Sequence, residues 1–206
     1  MRDSDVRRAT IAMLRDLHSG DTDTSIVQEM GVWSGSVRID IAVINGELSG
    51  YELKSDRDTL DRLPLQADLY SRVFDRVSLV VGKRHAEKAV ASVPAWWGVL
   101  LASEKDGAVH LRQKRRGRRN PGQDPYLVAQ LLWKDEALSV LETIGSASGW
   151  RSKRIKAIHQ HLADTIPLSQ LLDYVRAALK RRQNWLGQTI PDQGNMPIDA
   201  KLHPRF

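Results

Sequence analysis

Two acids and a lysine lie on a predicted β-hairpin formed by residues 37–54. Its turn is Asn45-Gly46, the strongest short signal for a hairpin between two apolar runs. Asp40 lies mid-strand among apolar neighbours, while Glu52 and Lys54 are two residues apart on the returning strand and share one face. Because burying an acid is costly unless it pairs with a cation or binds a metal, the pattern favours a divalent cation site.

The chemistry of such a site would depend on hard oxygen ligands. Mg²⁺, or Mn²⁺ in its place, commonly takes one or two carboxylates and keeps several waters. Asp40 and Glu52 would supply the carboxylates, and the backbone carbonyl of Leu53 a third oxygen. The metal would activate a bound water, which Lys54 would orient, and Glu29 would bind the metal through a water. The alternative is a cross-strand salt bridge in which Lys54 pairs with Glu52 or Asp40.

The same residues carry a resemblance to a known family. Asp40, followed after eleven residues by Glu52-Leu53-Lys54, resembles the PD-(D/E)XK nuclease superfamily, although no proline precedes Asp40. The resemblance implies that Asp40 and Glu52 bind metal and that Lys54 assists the hydrolytic water. It also implies that Glu29 takes the place of a glutamate on the first helix, although Glu29 lies beyond the first predicted helix.

A second motif follows twelve residues after the lysine. Gln66 and Tyr70 form a Gln-x-x-x-Tyr motif on a predicted helix, where positions four apart share one face. The motif is similar to that of the RecB-like branch, which implies that both residues position the nucleic-acid strand or the site. Residues 25–103, and less completely residues 131–137, also resemble an uncharacterised bacterial family named after a locus tag and placed among PD-(D/E)XK-like proteins.

The charge of the chain is divided unevenly. The net charge is +6, but residues 1–110 carry 14 basic and 17 acidic side chains, a net charge of −3, and residues 111–206 carry 17 and 8, a net charge of +9. Basic clusters in the second part favour contacts with the phosphates of DNA, and ordinary solvated charge is the alternative. The predicted nucleic-acid-binding residues are Lys114, Arg115, Arg116, Arg118, Arg119, Arg151, Lys153 and Arg154.

Composition excludes several classes of protein. The 206 residues contain no cysteine, which excludes disulfides, thiolate metal sites and cysteine nucleophiles. No apolar run approaches the roughly 18 residues that cross a bilayer, and the first residues lack the apolar segment of a signal peptide. We expect a cytoplasmic protein that makes no membrane contact. The sequence leaves the oligomeric state open, a homodimer included.

The order of predicted elements favours an α/β fold with a restriction-endonuclease-like core, in which helices flank a mixed central sheet, and an α-helical C-terminal extension. Residues 1–113 would form the core and residues 114–123, which are basic and rich in turn-forming residues, a mobile linker or loop. Residues 124–186 would form a basic helical extension. Residues 187–206 would form an irregular tail.

Together these features predict a Mg²⁺-dependent or Mn²⁺-dependent nuclease that hydrolyses DNA phosphodiester bonds in repair, recombination, mobile-element or defence processes. The first alternative is a catalytically inactive nucleic-acid-binding or assembly module on a nuclease fold, since a fold does not fix a function. An RNA nuclease is a third option, because nothing in the sequence distinguishes RNA from DNA as the partner.

Overall fold

A six-stranded mixed sheet forms the centre of the molecule. The structure, a computed structural model, describes residues 1–33, 35 and 37–182. The strands follow one another across the sheet in chain order. They are β1 (Ser25–Val32), β2 (Val37–Ile44), β3 (Leu48–Lys54), β4 (Arg76–Gly82), β5 (Gly98–Lys105) and β6 (Ala108–Arg115).

Seven α-helices lie within the described residues, together with a single 3₁₀ turn, Lys83–His85, after β4. The helices are α1 (Asp3–Leu17), α2 (Leu63–Ser71), α3 (Ala86–Ala91), α4 (Pro125–Ala129), α5 (Lys134–Thr143), α6 (Ile155–Thr165) and α7 (Leu168–Arg181). The expected mixed sheet flanked by helices, with a helical C-terminal part, is therefore confirmed.

The direction of the strands follows from their connections. Strands β1, β2 and β3 are antiparallel neighbours, as are β5 and β6, and tight hairpins join them. Strands β3, β4 and β5 run parallel, so their connections must cross over the sheet, which α2 and α3 do. The carboxyl ends of these three strands therefore lie at the same edge of the sheet.

The predicted β2–β3 hairpin forms as the Asn-Gly turn indicates. Ile44 pairs with Leu48, and the Asn45 side chain accepts a hydrogen bond of 3.0 Å from the backbone N–H of Glu47. An Asn side chain that bonds to its own backbone two residues later mimics a turn and fixes the loop. The hairpin holds the register that brings the two strands bearing the candidate acids together.

Each face of the sheet has its own apolar core. Val6 and Leu14 of α1 pack with Ile41 and Leu53 on one face, and α1 is the helix that supplies buried apolar residues there. The opposite face packs against α2, α3 and the helices from α4 to α7 in one continuous cluster. The C-terminal helices thus share a core with the sheet, and the division of the chain at residue 113 stays a prediction.

Strand β1 is absent from the sequence prediction, which assigns no strand between the first predicted helix and the hairpin that begins at residue 37. The strand pairs with β2 along most of its length, and Glu29 within it has a positive φ of 53°. This interruption breaks the alternation by which strands are recognised. Glu29 therefore lies on a strand beside β2 and not on the first helix, where the resemblance would have a glutamate.

The basic segment that follows β6 has no regular secondary structure, but hydrogen bonds to distant residues hold its backbone. The backbone N–H groups of Arg118 and Asn120 donate to the carbonyls of Trp96 and Asp75 at 2.8 Å. The Asn120 side chain also donates to the carbonyls of Ser71 and Phe74. Backbone N–H groups and the Asn120 side chain thus form the hydrogen bonds that regular secondary structure supplies elsewhere.

The C-terminal end of the chain is described only in part. Helix α7 is the last element within the described residues, and the predicted tail over residues 187–206 lies outside them. Within residues 1–33, 35 and 37–182, no helix combines the length and the apolar character needed to span a membrane.

Candidate functional site

The first three strands bring the predicted acids to one place. Asp40 lies on β2, and Glu52 and Lys54 lie on β3. Glu29 on β1 stands opposite Asp40, because the residues on either side of the two pair directly with each other. The backbone N–H of Leu53 donates to Asp40 Oδ2 at 2.8 Å, which connects the acid of β2 to β3.

Arg7 of α1 neutralises two of these acids at once. Its Nη2 lies 2.7 Å from Asp40 Oδ1 and 3.0 Å from Glu29 Oε1, and its Nη1 donates to the Asp40 carbonyl at 3.1 Å. Burial lowers the pKa of Arg7, but the charges of Asp40, Asp3 and Glu29 outweigh that effect and the pKa is raised. Arg7 therefore stays protonated and ties α1 to the hairpin.

Glu52 and Lys54 form a buried ion pair. Lys54 Nζ lies 2.9 Å from Glu52 Oε1, and the two residues are only 6% and 2% exposed. Glu52 Oε2 is buried and has no hydrogen-bond partner within the described part of the chain. Burial, followed by the negative charge of Asp40, raises the pKa of Glu52 to about 7. Burial also raises the pKa of Asp40, although the Leu53 N–H and Arg7 oppose it.

Gln66 and Tyr70 lie on the face of α2 that is turned towards the hairpin. The Tyr70 hydroxyl donates to the Arg38 carbonyl at 2.6 Å and accepts from Gln66 Nε2 at 3.5 Å. Its ring is fully buried and stacks on Trp97. Burial and the nearby charges of Glu52 and Asp40 raise the pKa of Tyr70. The motif therefore fixes α2 to β2 through a neutral tyrosine.

In this arrangement, groups of the chain itself contact the oxygens of the acid cluster. Arg7 and the Leu53 N–H occupy both oxygens of Asp40, and Lys54 occupies one oxygen of Glu52. Among the described residues, no group of three or more Asp, Glu or His side chains is placed to hold a metal ion. Binding of Mg²⁺ or Mn²⁺ by Asp40, Glu52 and the Leu53 carbonyl stays a prediction.

The residues of the first basic cluster have different roles. Lys114, Arg116 and Arg118 are exposed and form no ion pair within the described residues. Arg115 instead donates to the carbonyls of Trp97 and Pro94. The remaining member, Arg119, has its guanidinium 3.7 Å from a carboxylate oxygen of the buried Asp75.

The acids and the first basic cluster lie apart across the sheet. Strands β4 and β5 separate β3 from β6, and at about 4.8 Å per strand Lys114 is on the order of 14 Å from Glu52. In the second basic cluster, Arg151 pairs with Glu142 at 2.7 Å. Lys153 and Arg154 are exposed at the start of α6 and form no ion pair among the described residues.

The sequence analysis missed two arginines that pair with buried or half-buried acids and connect a helix to the sheet. Arg7 contacts Asp40 across 33 positions of the chain, and Arg176 of α7 contacts Asp75 across 101. Contacts at such separations leave no local pattern of spacing. The sequence does carry one indirect indication, because a buried acid needs a cation as its partner. The arginines on predicted amphipathic helices are the candidates for that partner.

The fold and the site together define a mixed α/β protein whose acid-bearing hairpin is neutralised by cations of its own chain. Residues 1–191 match the family model described as bacteriophage P4 protein cII, and the chain therefore belongs to that family. Protein cII of Enterobacteria phage P4 is 26% identical over 161 residues. That alignment covers 78% of this chain and 60% of the relative, less than two thirds of its length. No solved structure matches the chain.

Membership in the cII family overturns the identification as a PD-(D/E)XK nuclease, together with the RecB-like branch and the locus-tag family. The predictions of a Mg²⁺-dependent DNA hydrolase, of a role in repair or defence, and of an RNA nuclease are wrong with it. The motif misled because two acids and a lysine on a hairpin also form a buried ion-pair network. Lys54 does pair with Glu52, as in the alternative that the sequence offered, but the two residues lie on one strand, β3, and the pair is buried.

Proposed function

We propose that this protein binds nucleic acid, with DNA as the expected partner, and that it does so without cutting it. One observation carries the proposal: Lys114, Arg116 and Arg118 follow one another at every second position along β6 and its extension. All three are exposed and form no ion pair within the described residues. Cations that form no ion pair with acids can exchange their counterions for phosphates, which favours binding.

The local backbone supports this surface. Gln113 pairs with Leu100 and Arg115 pairs with Val99, so that Lys114 has no residue opposite it. An extra residue of this kind forms a bulge, which bends an edge strand and redirects a side chain. The bulge thus favours the outward placement of Lys114 at an edge of the sheet where no further strand is described.

The segment that carries Arg116 and Arg118 is held close to β5. A Cβ added to Gly117 would lie 3.1 Å from the backbone nitrogen of Gly98, and one added to Gly98 would lie 3.3 Å from that of Gly117. Glycine at both positions avoids contacts that would be tighter than usual for a side chain. The cations therefore sit on fixed backbone, which lowers the entropic cost of ordering them on a ligand.

Charged edge strands also have a second role, because lysine and arginine there prevent pairing with the sheets of other molecules. The two roles predict different results. A protective role requires charge at the edge but no ligand, whereas the proposed role requires that these particular cations set the affinity for nucleic acid.

The experiment is an equilibrium titration of short labelled duplex DNA, single-stranded DNA and RNA, followed by fluorescence anisotropy with a chelator present. Replacing Lys114, Arg116 and Arg118 together by alanine should weaken binding about 10-fold or more. The matched control replaces three scattered, exposed cations, Arg15, Lys88 and Lys134, so that the net charge changes equally. The wild type should bind, and the control variant should bind within about 3-fold of it.

Two results would contradict the proposal. If the wild type binds none of the three nucleic acids at low salt, the function is wrong. If the two triple variants lose affinity equally, net charge rather than this surface governs binding. Tighter binding to RNA than to DNA would correct the expected partner.

A further inference from the structure

The guanidinium of Arg7 occupies a cage of three oxygen atoms. Asp40 Oδ1 lies 2.7 Å from Nη2, Glu29 Oε1 lies 3.0 Å from it, and the Asp40 carbonyl oxygen lies 3.1 Å from Nη1. Two carboxylates and a backbone carbonyl are also the kinds of ligand that bind hard divalent cations. The guanidinium thus lies among oxygen atoms that could also bind a divalent cation.

The surroundings have an excess of negative charge. Asp3 lies 3.4 Å from the Nε of Arg7, and Lys54 is already paired with Glu52. Four carboxylates therefore face two cations. The buried Glu52 Oε2 has no partner among the described residues, and the negative charge of Asp40 acts on Glu52. Without Arg7, Asp40 and Glu29 would lie side by side with no cation between them, an arrangement that costs free energy in a partly buried place.

We infer that the cluster of Glu29 and Asp40 is a cation site that the chain fills with its own Arg7 side chain. Arg7 then has two effects. It latches α1 to the β1–β2 pair, and it keeps divalent cations out of the cluster. The inference does not depend on whether the protein binds nucleic acid.

Removal of the guanidinium should convert the latch into a site that accepts a cation from solution. The informative variant is Arg7→Met, which keeps an unbranched stem to pack against the sheet and removes the charge. Added Mn²⁺ tests whether a metal ion can replace the guanidinium of Arg7. Added methylguanidinium tests whether the missing group itself can rebind. The matched control is Arg8→Met, one residue along α1, where the arginine is exposed and lies 3.6 Å from Asp5.

Thermal unfolding of the full chain gives the readout. Arg7→Met should lower the Tm by about 10 °C, and millimolar Mn²⁺ or methylguanidinium should restore much of that loss. The same additions should leave the Tm of the wild type and of Arg8→Met unchanged. The double variant Arg7→Met with Asp40→Asn should show no rescue, because it lacks a carboxylate of the cage.

The other outcomes are also decisive. If Arg7→Met is folded and neither cation raises its Tm, or if the wild type binds Mn²⁺ as tightly as the variant in calorimetry, the inference is wrong. If Arg7→Met does not fold alone, recovery of its far-ultraviolet circular dichroism on adding either cation supports the inference, and no recovery refutes it. Arg7→Lys, which keeps the charge, should need no rescue.

Discussion

Arg176 of α7 lies 3.4 Å from Asp75, a carboxylate with no exposed surface that immediately precedes β4. The same carboxylate oxygen accepts the backbone N–H of Leu48, the first residue of β3, at 2.8 Å. One buried acid therefore connects the last described helix to the amino ends of two central strands. The helical part is joined to the sheet by charge as well as by its apolar core.

The first prediction concerns this contact. Arg176→Met should lower the free energy of unfolding by about 3–5 kcal/mol, because it leaves the buried charge of Asp75 without its closest cation. Asp75→Asn should also destabilise the fold. The double variant should lose less than the sum of the two single losses, because the residues act on each other. Urea unfolding of the four proteins measures the coupling.

The control for that experiment is the exposed pair of Arg72 and Asp68. Its removal by Arg72→Met should change the free energy of unfolding by less than about 1 kcal/mol, as is usual for surface pairs. Additive losses for Asp75 and Arg176 would show that the two side chains stabilise the fold separately.

The second prediction concerns pH. The pKa of Glu52 is about 7 in the folded chain and has its usual value of 4.5 when unfolded. Between these values the folded state binds more protons, so the free energy of unfolding should fall as the pH rises from about 5 to about 7. A loss of about 1–3 kcal/mol is expected, since one pKa unit corresponds to about 1.4 kcal/mol. Asp40, whose pKa is also raised, acts in the same direction.

Urea unfolding at a series of pH values compares the wild type with Glu52→Gln and with Glu104→Gln, an exposed control. The slope between pH 5 and pH 7 should be much smaller in Glu52→Gln and unchanged in the control. Equal slopes in all three proteins would show that Glu52 ionises normally in the folded state.

The sequence predicts those parts of the fold that local patterns determine. The β2–β3 hairpin follows from Asn45-Gly46 between apolar runs, and Gln66 and Tyr70 lie on a helix, α2, as their spacing indicates. Strand β1 escapes prediction because Glu29 adopts a left-handed conformation and interrupts the alternation. The fixed course of residues 116–124 escapes it because Asn120 and backbone groups bond to residues distant in sequence.

The candidate site shows the same division. Alternation along a strand correctly places Glu52 beside Lys54, and helical spacing correctly places Gln66 beside Tyr70. What these residues do depends on Arg7, which arrives from another element and takes the place that a metal would need. A short motif specifies which side chains meet on the hairpin, but it does not specify which cation the rest of the chain brings to them.

The third prediction concerns salt. Each phosphate that the protein neutralises should contribute about 0.9 to the slope of log affinity against log salt concentration on duplex DNA. If Lys114, Arg116 and Arg118 each contact a phosphate, their joint replacement by alanine should reduce the slope by about 2–3. Point variants are required, because removing the chain after residue 113 would also remove helices that share the core of the sheet. An unchanged slope would place the phosphate contacts elsewhere.

The final prediction separates structure from recognition at Tyr70. Tyr70→Phe removes the donor to the Arg38 carbonyl and the acceptor for Gln66. Because both partners lose a hydrogen bond in a buried place, the free energy of unfolding should fall by about 1–3 kcal/mol. The chain offers a matched control in Tyr174 of α7, a half-buried residue whose hydroxyl accepts a solvent-exposed hydrogen bond of 3.4 Å from Gln170.

Tyr174→Phe should change the free energy of unfolding by less than about 0.5 kcal/mol, because water replaces the lost hydrogen bond. Both variants should bind nucleic acid as the wild type does once folded, since Tyr70 is fully buried and cannot touch a ligand on the surface. Loss of affinity in folded Tyr70→Phe would show that the Gln66–Tyr70 face acts in binding. Equal losses of stability in the two variants would show that burial of the Tyr70 hydroxyl does not increase its contribution to the free energy of unfolding.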